Sequence, residues 1–277
     1  TASQVVSQLF NFFSIAEFGV GSVISYRLYE QIAAKNEEKI SKYMMANGYV
    51  LSPKSKSYHA LDSFVYEYIN CGGTKDNLKI EINYMLRCHV LPVARREVRL
   101  PWNEEKLTVF SVAPLEIFAS KTVALLTRTA PRDLYDMHNM VKFGLFDESE
   151  EAMLRKCVVF YSAIGSAQPP EKFALDNIGN VSFRQIKRDL NSVLRKGERF
   201  DLEFVQKEVK DYLTSVLVPT KEEKLFWKAF SEGNYYPDWV FGDSDEFRNV
   251  AKHPMALWKC RDKEDKKPLN KAHEKRA

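Results

Sequence analysis

KTVALLTRTAPRDLYD, Lys121 to Asp136, places Lys121, Arg128, Arg132, Asp133 and Asp136 at a spacing that helix packing does not require. The segment that leads into it, PLEIFASKTVALLTR from Pro114, reads as a helix: proline suits the first turn, and Leu115, Phe118, Thr122 and Leu125 recur at the three-and-four spacing of a core-facing stripe. Lys121 and Arg128 are seven residues apart and so share a face. Ala130-Pro131 ends that helix, because the residue before a proline is pushed out of helical geometry. A second helix opens at Arg132-Asp133, with Leu134, Met137 and Val141 as its apolar stripe. Asp133 and Asp136 then project roughly 60° apart around its axis. Read from residues alone, an aspartate in a first turn favours the helix dipole, and an Arg-Asp pair beside it serves as a structural ion pair.

Working outward toward the N-terminus, LKIEINY at Leu78 to Tyr84 alternates strictly. Leu78, Ile80, Ile82 and Tyr84 face one way, and Lys79, Glu81 and Asn83 the other, which predicts a strand with one buried side. The preceding SYHALDSFVYEYI is rich in aromatic and β-branched residues, and NCGGTKDN at Asn70 to Asn77 is dense in turn formers, so the two strands are expected to pair as an antiparallel hairpin. Val98, Leu100, Leu107, Val109 and Phe110 mark later strands. Thr1 to Phe13 and Ser22 to Asn47 read as amphipathic helices, the latter ending at Gly48.

Beyond Pro114 nearly everything is helical. Met153, Leu154, Cys157, Val158, Tyr161 and Ile164 form one stripe; Phe183, Ile186, Leu190 and Leu194 a second; Phe204, Val205, Tyr212, Leu213 and Val216 a third. All three read as core packing. The loop Gly165 to Asn180, with Pro169-Pro170, is the expected boundary, giving an α+β domain over 1–165, a helical bundle over 166–259 and a polar basic tail over 260–277.

Composition narrows the class. At 277 residues and 45% hydrophobic the chain has ample apolar surface for a core. It has no apolar run of the roughly 18 residues a membrane span needs and no signal peptide, so a soluble cytoplasmic protein is expected. Cys71, Cys88, Cys157 and Cys260 are scattered without paired spacing, as are His59, His89, His138, His253 and His273, so neither a zinc site nor a disulfide framework is indicated. From Lys259 onward eight cations face four carboxylates, which alone equals the net charge of +4. That location makes the charge a solvated end more than a nucleic-acid footprint. Arg87, Arg95, Arg96 and Arg99 follow the Glu81 strand and suit either ordinary surface charge or phosphate contacts.

The string Lys121, Arg128, Arg132, Asp133 and Asp136 resembles the signature of the AbiEii/AbiGii toxin family, a branch of the nucleotidyltransferase superfamily whose members carry a lysine on a helix, then an arginine, then Arg-Asp-x-x-Asp. The run FWKAFSEGNYYPDWVFGD and HPMALWK at His253 to Lys259 are similar to the closing helices of bacterial members, which extends the likeness over most of Lys39 to Lys259. The resemblance implies a nucleotidyltransferase-like mixed sheet with flanking helices, followed by a helical bundle. It implies transfer of a nucleotidyl group from a nucleoside triphosphate to an acceptor, with transfer RNA the acceptor of several relatives. In such chemistry Mg²⁺ is held by carboxylates, and Glu81 occupies the place of the superfamily's third, strand-borne acidic ligand. Lys121 and Arg128 would hold the triphosphate, Asp133 or Asp136 would orient or deprotonate the acceptor, and Arg132 would fix the aspartates. A separately encoded antitoxin, in phage defence or plasmid maintenance, is the implied partner.

The sequence departs from the family in one respect. Members open with a Gly-Gly-Thr or Gly-Ser loop followed by an Asp-x-Asp metal pair, whereas here Gly19-Val20-Gly21-Ser22 is followed by VISYRLYEQIAAKNEEK, which contains no aspartate. Either the first motif lies upstream of Thr1, or the chain is a decayed nucleotide- or RNA-binding module. An antibiotic-modifying nucleotidyltransferase would use a similar core, but the Arg-Asp-x-x-Asp form points to the toxin branch.

Overall fold

A computed structural model describes residues 37–58, 61–83, 89–100, 103–191, 194 and 197–264. The helix expected at Thr1 to Phe13, the Gly19 to Ser22 element and the terminal tail from residue 265 lie outside these residues, as do Tyr84, Arg87 and Cys88. The fold is α+β, and its contacts divide it into two units, residues 1–88 with 93–111 and residues 89–92 with 112–277. The boundary expected at residue 165 lies inside the second unit.

The first unit begins with helix α1, residues 37–46. Gly48 ends it as expected: its φ of 83° lets the amide of Gly48 reach the Met45 carbonyl and that of Tyr49 the Met44 carbonyl, so the last carbonyls of the helix are satisfied. Strands β1 (Val50–Leu51) and β2 (Lys56–Tyr58) both pair with one edge of β3 (Leu61–Ile69), and β4 (Lys75–Asn83) pairs with the other. The β3–β4 hairpin is antiparallel along its whole length, with Phe64 opposite Ile80 and Ser63 opposite Glu81. Its alternation is the one the sequence predicts. Phe64, Tyr66 and Ile80 are buried with Ile40 and Met44 of α1, with Leu78 and Ile82 packed beside them, and Lys79 and Glu81 face outward. Strands β5 (Ala94–Leu100) and β6 (Asn103–Ser111) form a separate hairpin. Every strand pairing among the described residues is antiparallel, where the family likeness led us to expect a mixed sheet.

The second unit is helical: α2 (Pro114–Arg128), α3 (Pro131–Lys142), α4 (Glu148–Gly165), a 3₁₀ turn (Leu175–Asn180), a short α5 (Phe183–Gln185) that runs into a π turn (Ile186–Leu190), α6 (Leu202–Val216), α7 (Lys221–Ser231), α8 (Asp238–Phe241), α9 (Arg248–Ala251) and α10 (Pro254–Glu264). Helix α4 is its axis. Cys157 to Ile164 are all buried, and a helix buried on every side must be surrounded by other elements, here α2, α6, α7, α8 and α10. Asp147 starts it with a reciprocal cap, accepting from the Ser149 and Glu150 amides while Glu150 accepts from the Asp147 amide. Helix α6 also starts on an aspartate, Asp201 accepting from the Phe204 amide.

Two expected stripes are only partly buried. Phe183 is 68% exposed and Phe204 58%, while Ile186, Leu190, Val205, Leu213 and Val216 are buried. The Phe183 segment is a short turn and a π turn instead of a regular helix, which rotates its first residue off the buried side. The stretch 165–180 is also more than a linker: Phe173 and Ile178 are core residues, and Asn177 donates to the Leu126 carbonyl at 2.7 Å.

Candidate functional site

Helices α2 and α3 meet at Thr129-Ala130. Thr129 is the sole non-glycine residue among those described with a positive φ, 51°, and its amide closes α2 on the Leu125 carbonyl at 3.1 Å. A β-branched residue rarely adopts this left-handed geometry, which costs about 1 kcal/mol or more. It persists because Pro131 then opens α3 at its first position and the two helices fold back on each other. Their contacts run in opposite order along the two helices. Arg128 meets Asp133, and further back on α2 Lys121 meets Asp136 and Thr122 lies 3.5 Å from the Met137 sulfur.

The two ion pairs differ in kind. Arg128 grips Asp133 with two parallel bonds, Nε to Oδ2 at 2.7 Å and Nη2 to Oδ1 at 2.8 Å. Asp133 is 2% exposed, stands in the first turn of α3 where the helix dipole favours a carboxylate, and has both oxygens occupied. The Asp133 hydrogen bonds raise the Arg128 pKa above its ordinary value, against the opposing effect of partial burial. Lys121 and Asp136 form a single contact of 2.6 Å and are 37% and 36% exposed. This pair is open to solvent and can exchange partners.

Arg132 has a different place from the one expected. It does not hold either aspartate; its Nε donates to the Asp189 carbonyl on the π turn at 3.2 Å, and Arg128 is what fixes Asp133. For Asp133 the reason is angular, since Arg132 precedes it by one residue and leaves the helix on another face; Asp136 lies on the Arg132 face but is taken by Lys121. Glu81 is in the first unit, on the outer face of β4, 46% exposed and 2.6 Å from Lys79 two residues earlier on that face.

A third cluster was not anticipated. Glu116, in the first turn of α2, is 1% exposed and accepts from the amides of Val90 at 2.9 Å and Leu91 at 3.1 Å and from the Tyr161 hydroxyl, with His89 Nδ1 at 3.4 Å. Burial pushes its carboxyl upward, but the hydrogen bonds from His89, Tyr161, Val90 and Leu91 outweigh it and hold the pKa below the ordinary value. The signal was present in the sequence. Glu116, Ala119, Val123 and Leu126 follow helical spacing, and a glutamate within an apolar stripe has to find donors or stay outside the core. Further cross-links tie the unit together: Arg155 Nε to Glu223 at 3.1 Å, and His138 Nδ1 to Glu208 at 2.5 Å.

Against known families, a model described as nucleotidyl transferase AbiEii toxin, type IV TA system, matches residues 28–223, which is more than half of the chain. The chain belongs to the AbiEii family. The matched span contains Glu81 and the whole Lys121 to Asp136 string, and it ends at Glu223, before the 226–243 and 253–259 runs. No curated protein and no solved structure matches. AbiEii membership places the chain in a family of nucleotidyltransferase toxins of the type IV toxin-antitoxin class, with a nucleotide substrate and a cognate antitoxin as properties of that class.

Nucleotidyltransferases generally use a divalent metal. Among the described residues no group of three or more His, Cys, Asp or Glu side chains is placed to hold one. Mg²⁺ needs several oxygen ligands, so Glu81 by itself does not fit a metal site. Cys157 and Cys260 are buried free thiols and Cys71 is an exposed one. No helix of the described residues is long and apolar enough to cross a membrane.

Proposed function

We propose that this chain transfers a nucleotidyl group from a nucleoside triphosphate to a hydroxyl of an RNA acceptor, with transfer RNA as the acceptor class, and that it acts as a cytoplasmic bacterial toxin in abortive phage defence. The observation that carries this reading is the half-exposed Lys121–Asp136 pair, set beside a buried Arg128–Asp133 clamp within the family match.

Each side chain then has a task that its surroundings allow. The triphosphate draws Lys121 away from Asp136, since several phosphate charges outweigh one carboxylate. Asp136, released, accepts the proton of the acceptor hydroxyl as its oxygen attacks the α-phosphorus. The bond to the bridging oxygen breaks, and pyrophosphate leaves with that oxygen's electron pair. The exposed part of Arg128 meets phosphate oxygens while its carboxylate partner keeps the guanidinium in place. Asp133, with both oxygens already engaged, positions Arg128 and takes no proton. Glu81 would supply one carboxylate toward Mg²⁺.

The test is incubation with each radiolabelled nucleoside triphosphate, Mg²⁺ and total bacterial RNA, beside Asp136→Asn. Label in a transfer-RNA-sized band that disappears in the variant supports the reading and names the nucleotide. The second reading, a nucleotide- or RNA-binding module without catalysis, is favoured by the lack of a metal-binding cluster among the described residues. Retained nucleotide binding with no label in any RNA or protein band would select it.

A further inference from the structure

The π turn and its flanks form a basic surface that the Lys121–Asp136 chemistry does not use. Arg184, Lys187 and Arg188 are exposed on one side of the segment, while Ile186 and Leu190 are buried on the other. The one carboxylate inside that run, Asp189, is already committed: Arg188 grips it with two bonds of 2.6 Å, and Arg132 takes its carbonyl at 3.2 Å. Glu198, the next acid along the chain, accepts from the Tyr135 hydroxyl at 2.9 Å, which leaves the neighbouring Arg199 exposed. Asp189 is thus neutralised by Arg188, the Tyr135 hydroxyl holds Glu198 in place, and Arg184, Lys187 and Arg199 remain as exposed cations.

This surface is continuous with the candidate site. Arg132 and Asp136 are four residues apart on α3 and share a face, with Tyr135 between them. Arg132 ties that face to the π turn, and Tyr135 ties it to the Glu198-Arg199 segment. Phe183 adds an aromatic ring 68% exposed immediately before Arg184. Its neighbour Ser182 starts the turn by accepting from the Gln185 amide, so the Phe183 side chain has no part in the cap. An exposed ring beside cations suits a nucleobase, which presents a flat face for stacking, better than it suits an acidic protein. The cations point the same way. Arg132, Arg184 and Arg199 are arginines, whose planar forks match phosphate oxygens two at a time, while the Arg188 fork is already given to Asp189.

We infer that Phe183, Arg184, Lys187, Arg199 and Arg132 form the docking surface for the sugar-phosphate backbone and one unstacked base of the RNA acceptor, leading its hydroxyl toward Asp136. The inference rests on the transferase reading above for the identity of the acceptor. The surface itself rests on charge, exposure and the two tethers.

Binding of fluorescein-labelled transfer RNA to the full chain over a salt series tests it, with Arg184→Glu/Lys187→Glu and Phe183→Ala as variants at exposed positions. In the charge-reversed variant affinity should fall at least tenfold at low salt, and the slope of log K against log salt should shrink by about one to two, since each lost phosphate contact removes roughly 0.7. Phe183→Ala should weaken binding about tenfold with the slope unchanged, as the loss of one stacked base predicts. Nucleotide binding should stay at the parent level in both. Parent-like RNA affinity and salt slope in the charge-reversed variant would overturn the surface. Equal competition by poly-glutamate and RNA would also overturn it and reassign the patch to an acidic protein. RNA binding lost in the variant, in a parent that transfers no label, would uphold the surface and remove the transferase reading; label transferred to RNA by both proteins with equal efficiency would do the reverse.

Discussion

In the second unit Asp133 is 2% exposed and gives both carboxylate oxygens to Arg128, whereas in the first unit Glu81 stands 46% exposed on a strand face beside Lys79. Both acids lie within the span that the family model matches, yet they live in different solvents. A carboxylate without water must be fully paired, and once it is fully paired it has no lone pairs left for a substrate. A carboxylate on a wet face loses little by changing partners. Family membership alone does not separate the residues that hold the fold from those that meet ligand, and burial with pairing does. On that criterion Asp133 belongs with Glu116 among the former, and Asp136, Lys121 and Glu81 keep the exposure that their proposed contacts with ligand require.

The sharpest way to break this division is to attack the buried acids. Glu116→Gln replaces one accepting oxygen by a donor amid the Val90 and Leu91 amides and the Tyr161 hydroxyl, and should cost about 3 kcal/mol near neutral pH. The pH dependence has a definite sign. The folded-state pKa is depressed, so the contribution is complete above the ordinary value of 4.5 and is lost as pH falls through the lower folded value. The gap in urea stability between parent and variant should therefore narrow below pH 4.5; a constant gap would mean that the charge of Glu116 is not what stabilises the fold. Next comes Arg128→Ala, which leaves the Asp133 carboxylate without both donors. Because Arg128 is 66% exposed, water can partly replace it, and the loss should be about 2 kcal/mol, below that of a wholly buried pair. A double-mutant cycle with Asp133→Asn should give a coupling of about 1 kcal/mol or more, and additivity would show the clamp to be idle.

How far the sequence foretold this arrangement follows the same line. Helices α2 and α3 and the β3–β4 hairpin were legible because their signals are local: a proline at each helix start, a strict alternation, a turn-rich connection. Partners distant in the chain were not legible. Arg132 was assigned to its neighbouring aspartates, but it bonds Asp189, 57 residues away, and the partners of Glu116 are 25 to 45 residues distant. No periodicity encodes a contact of that range. Phe183 shows a related limit. Its spacing from Ile186 and Leu190 fits a helical stripe, but the π turn changes the residues per turn and releases the ring to solvent.

The open pair should respond to substitution in the opposite way from the buried one. Lys121→Ala removes a contact between groups more than a third exposed, so its cost in stability should be under about 1 kcal/mol. Nucleotide affinity, measured by calorimetry, should nonetheless fall about tenfold or more, because a charge-assisted contact to phosphate is lost. A large fall in stability with unchanged nucleotide affinity would move Lys121 into the scaffold and erase the distinction between the two pairs.

The smallest structural effect belongs to Glu81→Gln. The side chain is nearly half exposed and its ion pair with Lys79 joins two residues of one strand, so stability should change by no more than about 0.5 kcal/mol. Its consequence should appear in the metal dependence. If Glu81 supplies one oxygen toward Mg²⁺, the neutral amide is a poorer ligand, and the Mg²⁺ concentration needed for half-maximal nucleotidyl transfer should rise while the saturated rate falls. Manganese, which binds nitrogen and oxygen ligands more tightly than magnesium does, should recover part of the loss. The opposite result, the same Mg²⁺ requirement in parent and variant, would leave Glu81 as the ordinary outward-facing residue that strand alternation alone predicts, and the whole of the site's chemistry would then rest on the helix pair.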